Sequence, residues 1–182
     1  GLVGSEMCIR DRTMILKYSP ECIINTGVGG SLDPELHICD VVIAESLVQH
    51  DMDTSPLGDP VGLISGINIV NIPCDGRVTA ALLKAAEALD GVHTAAGVIA
   101  SGDQFIASAE AKKRIVDRFG ASVCEMEGAA IAQVCYINSV PFAIVRAVSD
   151  CADGSSHMTY EEFLPNAAAT AARLIEGFVR VY

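Results

Sequence analysis

The chain reads as an α/β protein, a mixed and mostly parallel sheet in a three-layer arrangement with flanking helices. Three observations predict it. Short apolar, β-branched runs alternate with helix-periodic stretches along the 182 residues, the alternation that builds sheet-and-helix layers. The stretch 122–150, SVCEMEGAAIAQVCYINSVPFAIVRAVSD, reads as strand, helix and strand in succession. Both of its strands end in carboxylates, at Glu125-Met126-Glu127 and at Ser149-Asp150. In an open α/β sheet ligands bind outside the carboxyl ends of the strands, and a carboxylate buried there needs a partner or a task.

The elements follow in order. Residues 1–12, GLVGSEMCIRDR, contain neither a strand nor a cap, and their apolar pieces are too short for a signal-peptide core. The segment looks like translated sequencing-adapter read-through, foreign to the fold, so a single domain is expected over 13–182, opening on a helix-like tail at 13–18. Residues 21–26, ECIINT, form a buried-strand pattern, and Gly27-Val28-Gly29-Gly30-Ser31 follows as a turn. Glycines there let backbone approach a ligand closely. The third spaced glycine of a dinucleotide fingerprint is missing, and Pro34 interrupts.

A second strand is expected at 39–45, then a long loop at 46–66 carrying His50-Asp51-Met52-Asp53, Pro56 and Pro60. Loops of that length tend to be functional or to meet a partner; His50 reads as an acid–base candidate or, more simply, as an interface histidine. Residues 67–72 are strand-like. Asp75 caps a helix reaching about Leu89, with Val78, Leu82, Leu83 and Ala86 on its apolar side. A strand at 92–100 runs into Ser101-Gly102-Asp103-Gln104-Phe105-Ile106, and Ser108 opens a helix that Gly120 ends. Thr159 and Glu162 form a capping box for a last helix that buries Ala167, Ala171, Leu174 and Phe178.

Composition excludes several classes. No apolar run reaches the length of a membrane span. Twelve basic against 23 acidic side chains give a net charge of −11, the wrong sign for binding a phosphate backbone. The seven cysteines are scattered, odd in number and without a C-x-x-C pair, which reads as reduced thiols in the cytoplasm. The four histidines show no metal-ligand spacing, so neither metal nor cofactor is expected.

Three strand ends carry candidate chemistry: Phe105-Ile106, Met126-Glu127 and Ser149-Asp150. An aromatic face can stack on a flat base, a carboxylate can accept two ribose hydroxyl protons, and a second carboxyl can protonate a leaving group. The plainer reading makes Phe105 and Met126 core and the two carboxylates caps or ion-pair partners; on pattern alone both stand.

The strings NTGVGGSL (25–32), QHDMDTSPLGDP (49–60), SGDQFI (101–106), CEMEGAAIAQVC (124–135) and VRAVSD (145–150) closely resemble those of the 5′-methylthioadenosine/S-adenosylhomocysteine nucleosidases, within the nucleoside phosphorylase superfamily. The resemblance runs from about Thr13 to the C-terminus. It implies a nucleoside phosphorylase-like fold and hydrolysis of the N-glycosidic bond, releasing adenine in methionine salvage. By the same resemblance Asp150 is the acid that protonates purine N7, with Ser149 holding it. Glu127 binds the ribose hydroxyls, Met126 lies under the sugar, Phe105 stacks on the purine, and Ile106 offers backbone contacts to the base. Arg146 supports the site, as a partner for Glu127. The loop around Pro56 and Leu57 is implied to enter a neighbouring subunit's pocket, making a homodimer. Val28 stands where several relatives have serine.

One departure matters. The family opens with a strand such as GIIGAMEEE, whose glutamate activates the attacking water, and neither that string nor the later GIGKVNAA turn occurs in this chain. The fold is therefore expected to lack its first strands and this chain to turn over poorly. Two other readings stay open. A phosphate-dependent purine nucleoside phosphorylase needs basic groups at the phosphate, where only Arg77 and Arg146 are candidates; a non-catalytic adenosine-binding module needs only the strand-end residues. Futalosine hydrolase is a further relative that these strings exclude only weakly.

Overall fold

The computed structural model describes residues 3–150 and 160–182. Among the described residues five α-helices and six strands follow one another, beginning with α1 (Val3–Tyr18), β1 (Ile23–Ser31) and β2 (Val41–Gln49). Then come β3 (Ile72–Pro73), α2 (Gly76–Ala86), β4 (Thr94–Ser101), α3 (Ala109–Phe119) and β5 (Ala121–Glu125). The chain closes with α4 (Gly128–Ile137), β6 (Phe142–Asp150) and α5 (Tyr160–Val181). The sheet is mixed, as expected, in the order β3-β2-β4-β5-β1-β6. It also curls. Strand β2 pairs with β6 antiparallel, Val41 against Ala147, so the five longer strands close on themselves. Register shifts at Gly29/Gly30, Ala44/Ser46 and Val98/Ile99 supply the bends, because an extra residue on one strand increases local twist.

Local signals place several helix ends. Asp75 caps α2, its carboxylate accepting from the amides of Arg77 and Val78. Ser108 caps α3 by accepting from the Ala111 amide, and Gly120 ends it in the left-handed region at φ 61°. Thr159, the first residue of the expected capping box, lies outside the described residues. Helix α5 buries Phe163, Ala167, Leu174 and Phe178, leaves Ala171 half-buried, and packs on α2. Helix α2 ends at Ala86, short of Leu89.

The sheet departs from the sequence reading in three places. Residues 27–31 are not a turn; they continue β1, paired with β6 through Val28 and Gly29. Their glycines answer to crowding: a Cβ on Gly29 would stand 2.5 Å from Val123 Cγ1. Strand β2 runs four residues into the expected loop, to Gln49. The apolar run 67–72 contributes only a bridge from Ile69 to Ile64 and the two-residue β3.

Helix α1 crosses position 12 without a break and lies against α4, with Cys8 Sγ 3.5 Å from the Ala130 carbonyl. Asp11 is buried beneath it with one carboxylate oxygen unpartnered, while Ile9 and Leu16 face outward. Among the described residues no helix is long and apolar enough to cross a membrane.

Candidate active site

A cleft of about 180 Å³ opens at the carboxyl ends of β4, β5 and β6, where α/β sheets take their ligands. One wall is Gln104, Phe105 and Ile106, from the turn after β4. A second is Cys124 to Glu127, where β5 passes into α4. The third is Ser149 and Asp150 at the end of β6, with Val28, Gly29 and Gly30 of β1 beside them. The structure thus brings Phe105, Ile106, Met126, Glu127, Ser149 and Asp150 to one cleft. Gln104 lines it too, unforeseen from sequence. Phe105 is 84% exposed, an aromatic ring left bare at the rim.

Glycine at β1 is what leaves room: a Cβ on Gly30 would stand 3.1 Å from Asp150 Oδ1, and one on Gly27 3.2 Å from the Arg146 guanidinium. The turn carrying Phe105 is pinned from behind. Asp51 Oδ2 accepts from the Asp103 amide at 2.7 Å, and Gln49 donates to the other oxygen of Asp51. His50 packs against Gly102, where any side chain would collide with its ring. It therefore stands behind the cleft wall, in a separate hollow with Arg114 and Arg118, and burial pushes its pKa down. Acid–base chemistry at the cleft by His50 is not supported by that position.

Beneath the cleft lies a buried ion pair that sequence reading assigned differently. Arg146 is 1% exposed and donates from Nε to Glu125 Oε2 at 3.0 Å, with Nη2 bonded to the same oxygen. Glu127, the expected partner, is secondary, 3.8 Å from Nη2. The reason is geometric, since a guanidinium fork prefers a carboxylate it can meet with two donors. Glu125 does more than neutralise. Its carboxylate accepts from the amides of Glu127 and Gly128 and from the Ser101 hydroxyl, while Ser101 Oγ accepts from the Ala129 amide at 2.7 Å. These are the orphan donors of α4's first turn. Glu127 occupies the N-cap position yet makes no side-chain cap, so its carboxylate is left facing the cleft. Burial first, and the charge of Glu125 second, push the Glu127 pKa up, against the pull of Arg146.

Asp150 is held from both sides. Ser149 Oγ lies 2.9 Å from Oδ1 and 3.2 Å from the Gly29 carbonyl, and Lys112 Nζ donates to Oδ2 at 3.2 Å. Lys112 was not singled out in the sequence, and Glu125 and Ser101 were named there only as members of the strand-end strings EME and SGDQFI, without their partners. Cys124, on the cleft wall, is buried enough that its thiol is pushed up to about 11, which leaves it an unreactive wall.

Fold and cleft together define a class: an α/β protein whose curled sheet presents one aromatic ring and two carboxylates at the carboxyl ends of its strands. The chain belongs to the phosphorylase superfamily, whose family profile matches residues 1–180. It is 38% identical over 175 residues to the 5′-methylthioadenosine/S-adenosylhomocysteine nucleosidase of Haemophilus ducreyi, covering 95% of this chain and 75% of that protein. It is 40% identical over 167 residues to the aminodeoxyfutalosine nucleosidase of Helicobacter pylori, covering 92% of this chain and 72% of that one. The crystal structure of the Campylobacter jejuni 5′-methylthioadenosine/S-adenosyl homocysteine nucleosidase superposes with a TM-score of 0.89 at 35% identity, covering 94% of this chain and 74% of that one.

Proposed function

We propose that the chain carries the machinery of an N-ribosyl hydrolase acting on 5′-methylthioadenosine and S-adenosylhomocysteine, releasing adenine in methionine salvage. The observation that carries this reading is the convergence of Phe105, Glu127 and Asp150 on one cleft, in a chain that is 38% identical to such a nucleosidase. In it Phe105 covers the base, Ile106 meets the base edge, and Met126 lies under the sugar. Glu127, freed from capping by Glu125, accepts from the ribose hydroxyls. Asp150, held by Ser149, gives a proton to purine N7 as the glycosidic bond breaks through an oxocarbenium-like state. Arg146 fixes Glu125 and, through it, the turn that carries Glu127.

Water activation is the part these residues do not supply. Glu125 is spent on Arg146 and α4, and Glu127 and Asp150 have the roles above. The family's GIIGAMEEE-type string, absent from this sequence, would bring that base. We also propose that the domain proper is 13–182 and that residues 1–12 are foreign to it; the half-satisfied, buried Asp11 supports this. A homodimer fits the 46–66 loop, where Leu57 is 83% exposed on a 3-10 turn. Leu57→Asp would then give a monomer in sedimentation, and a parent chain that is already monomeric would refute the dimer. Six free described cysteines fit a reducing cytoplasm.

The test is adenine release from methylthioadenosine without phosphate, by this chain and by a version carrying a GIIGAMEEE-type strand. We expect slow release by the first and fast release by the second, lost in Asp150→Asn. Release that depends on phosphate would replace this reading with a phosphorylase. A second reading rests on the 40% identity to an aminodeoxyfutalosine nucleosidase, and faster release from aminodeoxyfutalosine than from methylthioadenosine would favour it.

A further inference from the structure

Behind the cleft, helix α3 sends one charged side chain inward. Lys112 is 7% exposed, although its helix is otherwise mostly polar and solvent-facing. A buried ammonium is costly unless paired, and Lys112 Nζ lies 3.2 Å from Asp150 Oδ2. Asp150 lines the cleft and Lys112 does not, so the lysine reaches the carboxyl from its far side. Ser149 lies against the other oxygen. The lysine contact is not local: α3 and the end of β6 are 38 residues apart in the chain.

We propose that Lys112 is a positioning residue for the leaving-group acid, its ammonium fixing the Asp150 carboxyl in the orientation in which it meets purine N7. This rests on the nucleoside reading above. A carboxyl that is 38% exposed in its side chain and tethered on one oxygen alone would be free to swing about its Cβ–Cγ bond. With Lys112 on Oδ2 and Ser149 on Oδ1 the plane of the carboxyl is set before ligand arrives. Such preorganisation helps most where charge or a proton moves.

The test needs no turnover. Adenine presents a bare acceptor at N7. Its analogue 4-amino-5H-pyrrolo[3,2-d]pyrimidine presents an N–H donor there, and only a well-aimed Asp150 carboxylate can accept from it. Calorimetric titration of the 182-residue chain with each base gives a ratio of affinities. Lys112→Met, with Lys112→Gln measured beside it to secure a folded neutral variant, should lower the analogue-to-adenine ratio about tenfold, the size of one hydrogen bond to a charged group. Asp150→Asn should lower it comparably, and Lys112→Arg, which keeps a charge in reach, should restore most of it. A lysine that merely glues α3 to the sheet would lower the melting temperature and leave the ratio unchanged; that outcome overturns the proposal. Binding of neither base by the unmutated chain would overturn the nucleoside reading itself, and the positioning role with it.

Discussion

Removing Glu125 tests how the site is held together. In Glu125→Gln the side chain keeps its shape but loses its charge, leaving the Arg146 guanidinium almost wholly buried with Glu127 3.8 Å away as its nearest remaining carboxylate. The new amide also turns a donor group toward donors, the amides of Glu127 and Gly128 and the Ser101 hydroxyl. Breaking a buried pair from one side costs about 3–5 kcal/mol. For a domain of this size each kcal/mol moves the melting temperature by about 2–4 °C, so a fall of about 6–20 °C is expected. Urea unfolding of the parent, Glu125→Gln, Arg146→Met and the double variant Glu125→Gln/Arg146→Met would give the cycle. The double variant should cost less than the two singles together, because it strands neither charge. Single variants costing under about 1 kcal/mol, or strictly additive losses, would refute the account of Glu125 as a buried anchor.

Three further outcomes are expected. Glu127 has a raised pKa in the fold, so its carboxylate is protonated at a higher pH than an ordinary glutamate; nucleoside affinity by calorimetry should start to fall, on acidification, above the usual range. The stability sign is opposite. Protonated Glu127 favours the fold, so its contribution is present below the ordinary value and lost as pH rises through the raised one, and Glu127→Gln should flatten both dependences. Gly29→Ala would place a Cβ 2.5 Å from Val123 Cγ1 and 3.0 Å from the Cys124 carbonyl, costing about 1–3 kcal/mol in denaturant unfolding; Val123→Ala should recover part of that loss. Asp11→Leu removes a carboxylate oxygen buried without a partner among Met14, Ile23 and Ile131, and should raise stability by about 1–3 kcal/mol.

What could be read from the sequence was what is written locally. Asp75, Ser108 and Gly120 mark helix ends because capping acts over three or four residues, and the structure has them in those roles. The strand-end residues were legible because strings such as SGDQFI and VRAVSD are contiguous. The anchor beneath them was not, since Ser101, Glu125 and Arg146 sit on β4, β5 and β6, with β1 between the last two, and meet only once the sheet has assembled. Glycines 27, 29 and 30 misled for the same reason: read alone they signal a turn, yet they serve a strand where Arg146, Val123 and Asp150 crowd the backbone. Strand β2 outran its expected end because its last residues pair with β4, Gln49 against Ser101, a partner that no window on residues 46–49 contains.

The seam between β2 and β6 has a consequence for biosynthesis. Val41 waits for Ala147, so a chain emerging from the ribosome makes one lip of the closure more than a hundred residues before the other. Long-range pairing of this kind is slow to form, and an unsealed strand is an invitation to neighbouring nascent chains. The segment that ends in Asp150 is also the one that seals the seam, so the last of the described strands to be synthesised brings Asp150 to the cleft and closes the sheet in a single event.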